Sequence, residues 1–269
     1  MRATTTICST EIRTSMVLFT LLLGCAVSDR LLAADRYDIV ARTGDKAGGT
    51  TGFFSSFARP SLNSAGQVSY RGFLLQGSGG ANSTNNQGLW RDSALIARSG
   101  SPAGGTGGVF SNLNSSVINS AGQLGYQGFL LNGTGGVDGN NDRGIWIDNA
   151  LVVRTGNNAG GTTGLYSAFN SPALNTAGQL AYQGFLLRGT GGVDSSNDIG
   201  LWRDDTLIAR EGSSAGGTNG VFSSFNLPIM NNAGELSYSG ILLSGVGGVD
   251  SSNDRGLWRD TTLIAREGS

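Results

Sequence analysis

Apolar and polar residues alternate along one stretch of the chain that recurs four times. Within residues 179–187, every second position is occupied by Leu180, Tyr182, Gly184 or Leu186. A period of two residues places these four on one face of a β-strand. The pattern therefore predicts a strand with one buried face.

Three further pieces accompany this strand. Residues 172–174 precede it and end at the turn Asn175-Thr176-Ala177-Gly178, where Asn and Gly accept backbone angles that other residues avoid. Residues 200–204 and 207–210 follow it and predict a hairpin across a polar turn at Asp205-Thr206. Beyond the N-terminal leader, no stretch combines helix caps with an apolar period of about 3.6 residues. The prediction is an all-β fold.

This set of strands recurs at a fixed spacing of 56 residues, which is the distance between successive tryptophans at Trp90, Trp146, Trp202 and Trp258. A period of this length indicates a structural unit that needs its neighbours to bury its apolar face. The units, called repeats 1 to 4 below, are residues 42–97, 98–153, 154–209 and 210–265. Residues 266–269 form a short tail. Residues 35–41 resemble the last strand of each repeat, which is residues 207–210 in repeat 3, and predict one extra N-terminal strand.

Units of about four antiparallel strands in tandem are typical of a β-propeller, which is the architecture we expect. An open β-solenoid or a stack of paired sheets is the alternative. A glycine-rich segment connects the pieces in each repeat, at residues 159–162 in repeat 3, and an aromatic pair follows it, Tyr166 and Phe169. We expect these aromatics, and the tryptophans, to pack between neighbouring sheets.

Residues 1–34 are typical of a signal peptide. Basic residues precede an apolar run at residues 16–27, which would rise about 18 Å as a helix, short of a hydrocarbon core about 30 Å thick. Small residues near Ala34 indicate cleavage after that residue. A loose lipoprotein motif at residues 22–25 makes lipidation of Cys25 the alternative. The prediction is an exported protein with no membrane span after signal removal.

Composition excludes several classes of function. The chain of 269 residues has no histidine, which excludes Ser-His-Asp and Cys-His catalysis and His-ligated zinc. A net charge of −1, with Lys46 as the only lysine, argues against a nucleic-acid partner. Both cysteines, Cys8 and Cys25, lie in the leader. A product cleaved after Ala34 therefore has no disulfide.

The turn before the long strand carries a motif. It reads Asn63-Ser64-Ala65-Gly66, continues through residues 67–70, and recurs from Asn119, Asn175 and Asn231. It resembles the motif of secreted bacterial tandem-repeat proteins defined by the pattern NxxGxxAF. The resemblance covers all four repeats and implies export and repeat architecture, with no established activity. It departs from the pattern because only Ala181 matches the alanine and because tyrosine replaces phenylalanine at Tyr70, Tyr126, Tyr182 and Tyr238.

Loops before three of the tryptophans alternate oxygen-bearing side chains, as a calcium site would. Their carboxylates are Asp138 and Asp142, Asp194 and Asp198, and Asp250 and Asp254. Calcium takes about six to eight oxygen ligands, whereas no glutamate closes these loops and repeat 1 has only Asn82, Thr84 and Asn86. We therefore expect turns in which side chains bond to nearby backbone, and no metal or cofactor, with calcium as the alternative.

Other recurrent charges are expected to be structural. Arg98 and Asp92, six residues apart across a tight turn, are expected to form a cross-strand ion pair that recurs in the other repeats. A catalytic site needs unlike groups, and the residues found in a single repeat, Lys46, Arg71, Arg188 and Glu235, predict no acid–base set. The sequence therefore predicts no catalytic or cofactor-binding residue.

Four similar units imply either no ligand site or four equivalent ones. The expected function is an exported, non-enzymatic β-repeat scaffold or protein-interaction module of the cell envelope, with a protein or glycan partner. A lectin-like carbohydrate binder with four equivalent sites is the first alternative. A glycan-processing enzyme that uses only Asp and Glu is the second.

Overall fold

The structure, a computed structural model, describes residues 38–268. Apart from a 3-10 turn at Ser78–Gly80, the regular elements in this range are twenty β-strands in four antiparallel sheets. The predicted all-β tandem repeat is therefore confirmed. Within residues 38–268, no helical segment has the length and hydropathy of a bilayer span. The predicted signal peptide lies outside the described residues.

Each sheet contains five strands and ends one residue past a repeat boundary. Sheet 1 consists of β1 (Phe54–Phe57), β2 (Ser61–Leu62), β3 (Val68–Leu74), β4 (Gln87–Arg91) and β5 (Ala94–Arg98). Sheet 2 consists of β6 (Phe110–Leu113), β7 (Val117–Ile118), β8 (Leu124–Leu130), β9 (Arg143–Ile147) and β10 (Ala150–Arg154). Sheet 3 consists of β11 (Tyr166–Phe169), β12 (Ala173–Leu174), β13 (Leu180–Leu186), β14 (Ile199–Arg203) and β15 (Thr206–Arg210). Sheet 4 consists of β16 (Phe222–Phe225), β17 (Ile229–Met230), β18 (Leu236–Leu242), β19 (Arg255–Arg259) and β20 (Thr262–Arg266).

The seven-residue strand organises each sheet. In sheet 3, β13 pairs with β14 on one side and with both β11 and β12 on the other, so that the last two act as one interrupted outer strand. The predicted alternation is confirmed, because Leu180, Tyr182 and Leu186 are all buried. The hairpin is also confirmed, with its turn at Asp204 and Asp205, one residue earlier than predicted.

The outer strand carries the aromatic pair that the sequence pattern places after a connecting segment. In β11, a register shift between Tyr166 and Ala168 adds one residue against β13. A β-bulge of this kind interrupts the alternation of faces, and both Tyr166 and Phe169 are buried. A pattern of period two could not find this strand, because its two aromatic residues are three positions apart.

The predicted extra N-terminal strand needs correction. Of residues 35–41, the first three lie outside the described residues, and residues 38–42 form no strand. The last strand of sheet 1, β5, pairs with β4 of the same sheet. Residues 31–35, which lie 56 positions before β4, do not repeat the sequence of β4. Ala41 still packs on the core of sheet 1, as the equivalent Ala97 packs on the core of sheet 2.

Each later sheet completes its aromatic core with a residue from the sheet before it. In sheet 2, Tyr126 and Trp146 share one buried cluster with Leu89, which belongs to β4 of sheet 1. Ile145 and Leu201 make the equivalent contribution to sheets 3 and 4. The predicted packing of aromatic residues between neighbouring sheets is confirmed.

The tryptophan side chains also hold the glycine-rich loops in place by hydrogen bonds. In sheet 3, the Trp202 indole stacks on Tyr182 with ring centroids 6.2 Å apart, and its Nε1 donates a hydrogen bond of 2.9 Å to Gly160 O. A Cβ on Gly160 would lie 2.0 Å from Asp205 O. Glycine is therefore required where this loop passes the hairpin turn.

The sheets contact one another in series, and the fourth has an uncovered face. Leu89, Ile145 and Leu201 are 0% exposed, whereas the equivalent Leu257 of sheet 4 is 50% exposed. Closure of the series into a ring would place sheet 1 against Leu257. The closed β-propeller therefore stays a prediction.

Leu201→Ala and Leu257→Ala make the same change at a covered and an uncovered position. We expect Leu201→Ala to lower the free energy of unfolding by about 2–5 kcal/mol, because it leaves a cavity between two sheets. Leu257→Ala should lower the free energy of unfolding by less than about 1 kcal/mol, because half of that side chain is exposed to solvent in the folded chain. Urea unfolding at low protein concentration measures both. Equal costs would show that another part of the chain covers Leu257.

Candidate functional site

The acidic loops before the tryptophans form backbone-bonded turns. In repeat 3, Asp194 Oδ1 accepts hydrogen bonds from Ser196 N and Oγ at 2.8 and 2.6 Å, and Asn197 Oδ1 accepts one from Asp194 N. In repeat 1, Asn82 Oδ1 accepts the same pair of bonds from Thr84. Because a neutral amide serves as well as a carboxylate, the turn needs an acceptor and no negative charge.

The second carboxylate of each loop has a cationic neighbour. Asp142 and Asp254 lie 3.5 and 3.9 Å from the guanidinium of the residue that follows each of them. Asp198 Oδ2 lies 2.6 Å from Arg188 Nε. Within residues 38–268, no three His, Cys, Asp or Glu residues are grouped so that they could hold a metal ion. Calcium binding by these loops stays a hypothesis for experiment.

The predicted ion pair between Arg98 and Asp92 is wrong. The register of β4 and β5 sets Arg98 opposite Gly88, at the end of the hairpin away from the turn, and Arg98 Nε donates to Asn85 O at 2.7 Å. Asp92 lies in the turn with a φ of 51°, and its Oδ1 accepts a bond from Val68 N. The two charges therefore sit at opposite ends of one hairpin.

The arginines that do approach the turn aspartates come from the preceding sheet. Arg91 Nη1 lies 4.0 Å from Asp148 Oδ1, and Arg203 Nη1 lies 3.4 Å from Asp260 Oδ1. These pairs join sheet 1 to sheet 2 and sheet 3 to sheet 4. The sequence signal for them is weak, because Ile147 replaces the arginine in repeat 2.

A groove lies between the last strand of one sheet and the hairpin turn of the next. Between sheets 2 and 3 it has a volume of about 690 Å³, and Val152, Asn158, Asp204 and Asp205 are among its lining residues. The equivalent groove between sheets 3 and 4 measures about 210 Å³, with Thr261 at the position of Asp205. The two grooves share a position but differ in volume and charge.

Two polar residues in the larger groove are already bonded within the sheet. The Tyr182 hydroxyl donates to Asp204 O at 2.6 Å, and Asp204 Oδ1 accepts a bond from Leu180 N. Burial raises the pKa of Tyr182 far above its ordinary value, so this phenol stays protonated as a donor. Asn157, Asn158 and Asp205 are the lining residues of this groove that are both polar and exposed.

A charged cluster that the sequence did not predict lies at the boundary between repeats 3 and 4. Arg188 contacts Asp198, and the Asp198 carboxyl is within hydrogen-bond reach of Glu211. Burial, and then the charge of Asp198, raises the pKa of Glu211 to about 7. At the position of Glu211, repeats 2 and 3 have hydroxyl groups, on Ser99 and Thr155, which accept hydrogen bonds from the first backbone N–H of β4 and of β9.

This cluster does not resemble a glycosidase acid–base pair. The two carboxyl groups of a glycosidase flank a groove that admits the sugar. Neither Asp198 nor Glu211 is among the residues that line the two grooves. A change from hydroxyl to carboxyl at one repeat position was the signal in the sequence, but only the structure shows which groups meet there.

We predict that Glu211 gives stability a pH dependence. Its folded pKa of about 7 lies above the ordinary 4.5, so between these values the folded chain holds more protons than the unfolded chain and loses stability as pH rises. Glu211→Thr installs the residue that repeat 3 has at Thr155 and should remove this decline. Urea unfolding near pH 4 and near pH 8 should show a larger advantage for the variant at the higher pH. Parallel pH profiles would contradict the assignment.

A second prediction concerns the acidic turns. Asp194→Asn keeps the acceptor that Asn82 supplies in repeat 1 and should melt at the temperature of the unaltered chain, whereas Asp194→Ala should melt lower. Millimolar calcium should leave all three melting temperatures where a chelator leaves them. A rise with calcium that is lost in Asp194→Asn would identify a cation site, because filling a site to about 1,000 times its Kd adds about 4 kcal/mol.

Comparison with known proteins identifies a family for this repeat architecture. Residues 31–151 and residues 148–269 each match one and the same family model. Each matched segment corresponds to a pair of consecutive repeats. No curated protein matches the chain. The chain belongs to the family of unknown function DUF7453.

Proposed function

We propose that the chain is an exported, non-enzymatic β-repeat scaffold of the cell envelope that presents its sheets to a protein partner. The observation that supports this most is the repeated use of polar side chains for internal bonds. Each tryptophan indole bonds the carbonyl of a glycine loop, from Trp90 to Trp258. Each acidic or amide turn bonds its own backbone in the same way. Recurrent side chains that stabilise the repeats themselves are typical of a repeat array that contacts its partner through its outer surface.

The finer architecture is part of the proposal. We take the sheets to be propeller-like blades, because each is a small antiparallel sheet that packs its aromatic core against one neighbour. Contacts between β4 and β6, between β9 and β11, and between β14 and β16 join consecutive sheets. Each of these contacts covers the leading side of the later sheet, whereas Leu257 of sheet 4 stays uncovered.

Export is proposed from the N-terminal sequence. The apolar run at residues 16–27 and the small residues before Asp35 are typical of a cleaved signal. The resemblance to secreted proteins with the NxxGxxAF motif supports the same location. Retention of an acylated Cys25 is the alternative route to the cell surface.

Carbohydrate binding is the second candidate. The groove of about 690 Å³, with Asp205 and Asn158 in its lining, is the observation that favours it. Sugar stacking on the tryptophans is disfavoured, because all four are 0% exposed. The difference between the two grooves also weakens the expectation of four equivalent sites.

The experiment is bacterial expression of the full chain, followed by cell fractionation and calorimetric titration of the product with chito-, cello- and malto-hexaose. For an exported scaffold, we expect a product outside the cytoplasm that begins at Asp35, contains no thiol, and gives no saturable heat. Mass spectrometry and a thiol assay report the first two results.

Each of three outcomes would overturn a different part of the proposal. A cytoplasmic product that keeps Cys8 and Cys25 would refute export. Saturable sugar binding that Asp205→Ala abolishes would establish the groove as a carbohydrate site instead, with Thr261→Ala as the matched control in the smaller groove. Release of new reducing ends would establish an enzyme.

A further inference from the structure

The first and last sheets expose two faces that match the faces joined inside the chain. The trailing face, on sheet 4, consists of Ser237, Leu257, Ile264 and Ala265, with Arg259 and Asn231 at its edge. The leading face, on sheet 1, consists of Phe57, Leu62 and Val68. Each of the three internal junctions packs a trailing face of one sheet against the leading face of the next.

Most residues of both outer faces are apolar, like their equivalents at the covered internal junctions. Leu257 and Ile264 are 50% and 58% exposed on the trailing face. On the leading face Leu62 is 68% exposed, whereas the equivalent Ile118 of sheet 2 is 9% exposed. Val68 is partly exposed, whereas the equivalent Leu124 is fully buried. Sheet 4 keeps on this face the leucine and isoleucine that repeats 1 and 3 carry at covered junctions.

Asparagines form the first polar link at every internal junction. Asn63 Nδ2 donates to Asn119 O at 2.8 Å, Asn119 Nδ2 donates to Asn175 O at 2.8 Å, and Asn175 Nδ2 donates to Asn231 O at 3.4 Å. Asn231 keeps this donor at the edge of the trailing face, where it bonds Glu235 of its own turn. In a second molecule, Asn63 O is the equivalent acceptor.

Arginine forms the second polar link at two junctions. Arg91 Nη1 donates to Gly122 O at 2.6 Å, and Arg203 Nη1 donates to Gly234 O at 2.7 Å. Each also pairs with the turn aspartate of the next sheet. Arg259 is the exposed equivalent on the trailing face, where its Nε lies 3.6 Å from Glu235 Oε1 of the same sheet. Its partners by the same spacing are Gly66 O and Asp92 on sheet 1 of a second molecule, which supplies charge complementarity.

A third link comes from the middle of the long strand. Gln127 Nε2 donates to Phe169 O at 2.9 Å, and Gln183 Nε2 makes the same bond to Phe225 O. Ser239 occupies this position in sheet 4 and is too short to make the bond. The junction of sheets 2 and 3 also has two of the three links, because Ile147 replaces its arginine. The trailing face therefore carries as many donors as an established junction.

We propose that the trailing face of one molecule binds the leading face of a second copy of this chain. The proposal rests on the scaffold function and names its partner. A contact between two different faces is heterologous, and it generates either a closed ring or an open polymer of sheets in register.

The test is sedimentation velocity of the full chain over a range of concentrations, with Leu257→Asp and Leu62→Asp as face variants. We expect the unaltered chain to associate and each variant alone to sediment as a monomer. An equimolar mixture of the two variants should form a dimer and nothing larger, because one variant keeps a good leading face and the other a good trailing face. Arg259→Glu should weaken association by about tenfold or more through repulsion from Asp92.

The control is Leu243→Asp, which changes a leucine of sheet 4 that is exposed at the equivalent position of every repeat. It should associate like the unaltered chain. Circular dichroism and melting at low concentration check that each variant is folded.

Several outcomes would overturn the proposal. A monomer at about 100 μM, on the scale of weak specific contacts, would show that the faces are covered within one chain or belong to another partner. Association that survives Leu257→Asp, or a mixture that forms no dimer, would exclude this pair of faces. Either result leaves the fractionation and sugar titration unchanged, so failure of this contact is distinguishable from failure of the scaffold function.

Discussion

The fold depends on a sheet that cannot bury its own aromatic face. Tyr126 and Trp146 cover part of the face of sheet 2, and Leu89 of the preceding sheet fills the remainder. The hydrophobic gain from that leucine is realised only when two sheets meet. Burial therefore comes from the junction as much as from the repeat, and stability is expected to grow with the number of junctions.

Polar side chains also hold the loops and the neighbouring sheets together. The indole of Trp202 bonds a glycine loop to the sheet, and the hydrogen-bonded turn at Asp194 leads the chain into β14. Arg203 extends to the following sheet and meets a backbone carbonyl there. Motifs that suggest cation binding or ion pairing in the sequence are thus bonded to backbone. The proposed functions rest on the grooves between the sheets and on the faces at the two ends of the series.

Some of this structure could be predicted from the sequence and some could not. The 56-residue period and the alternation around Tyr182 report burial directly, so they identified the repeats, the long strand and the hairpin. The strand at Tyr166 was missed because a bulge breaks the alternation on which prediction depends. Pairing of Arg98 with Asp92 failed because spacing along the chain says nothing of hairpin register. The approach of Asp198 to Glu211 depends on packing between a loop and a strand end, which no local pattern encodes.

The uniform spacing of the junctions has a genetic consequence. Since Leu89, Ile145 and Leu201 occupy the same position in successive repeats, removal of any one 56-residue unit rejoins faces of the same kind. Unequal recombination between the repeated segments of the gene would therefore delete or duplicate whole sheets in register. Array length is then free to vary among related genes in steps of 56 codons, because each new junction would join the same two kinds of face.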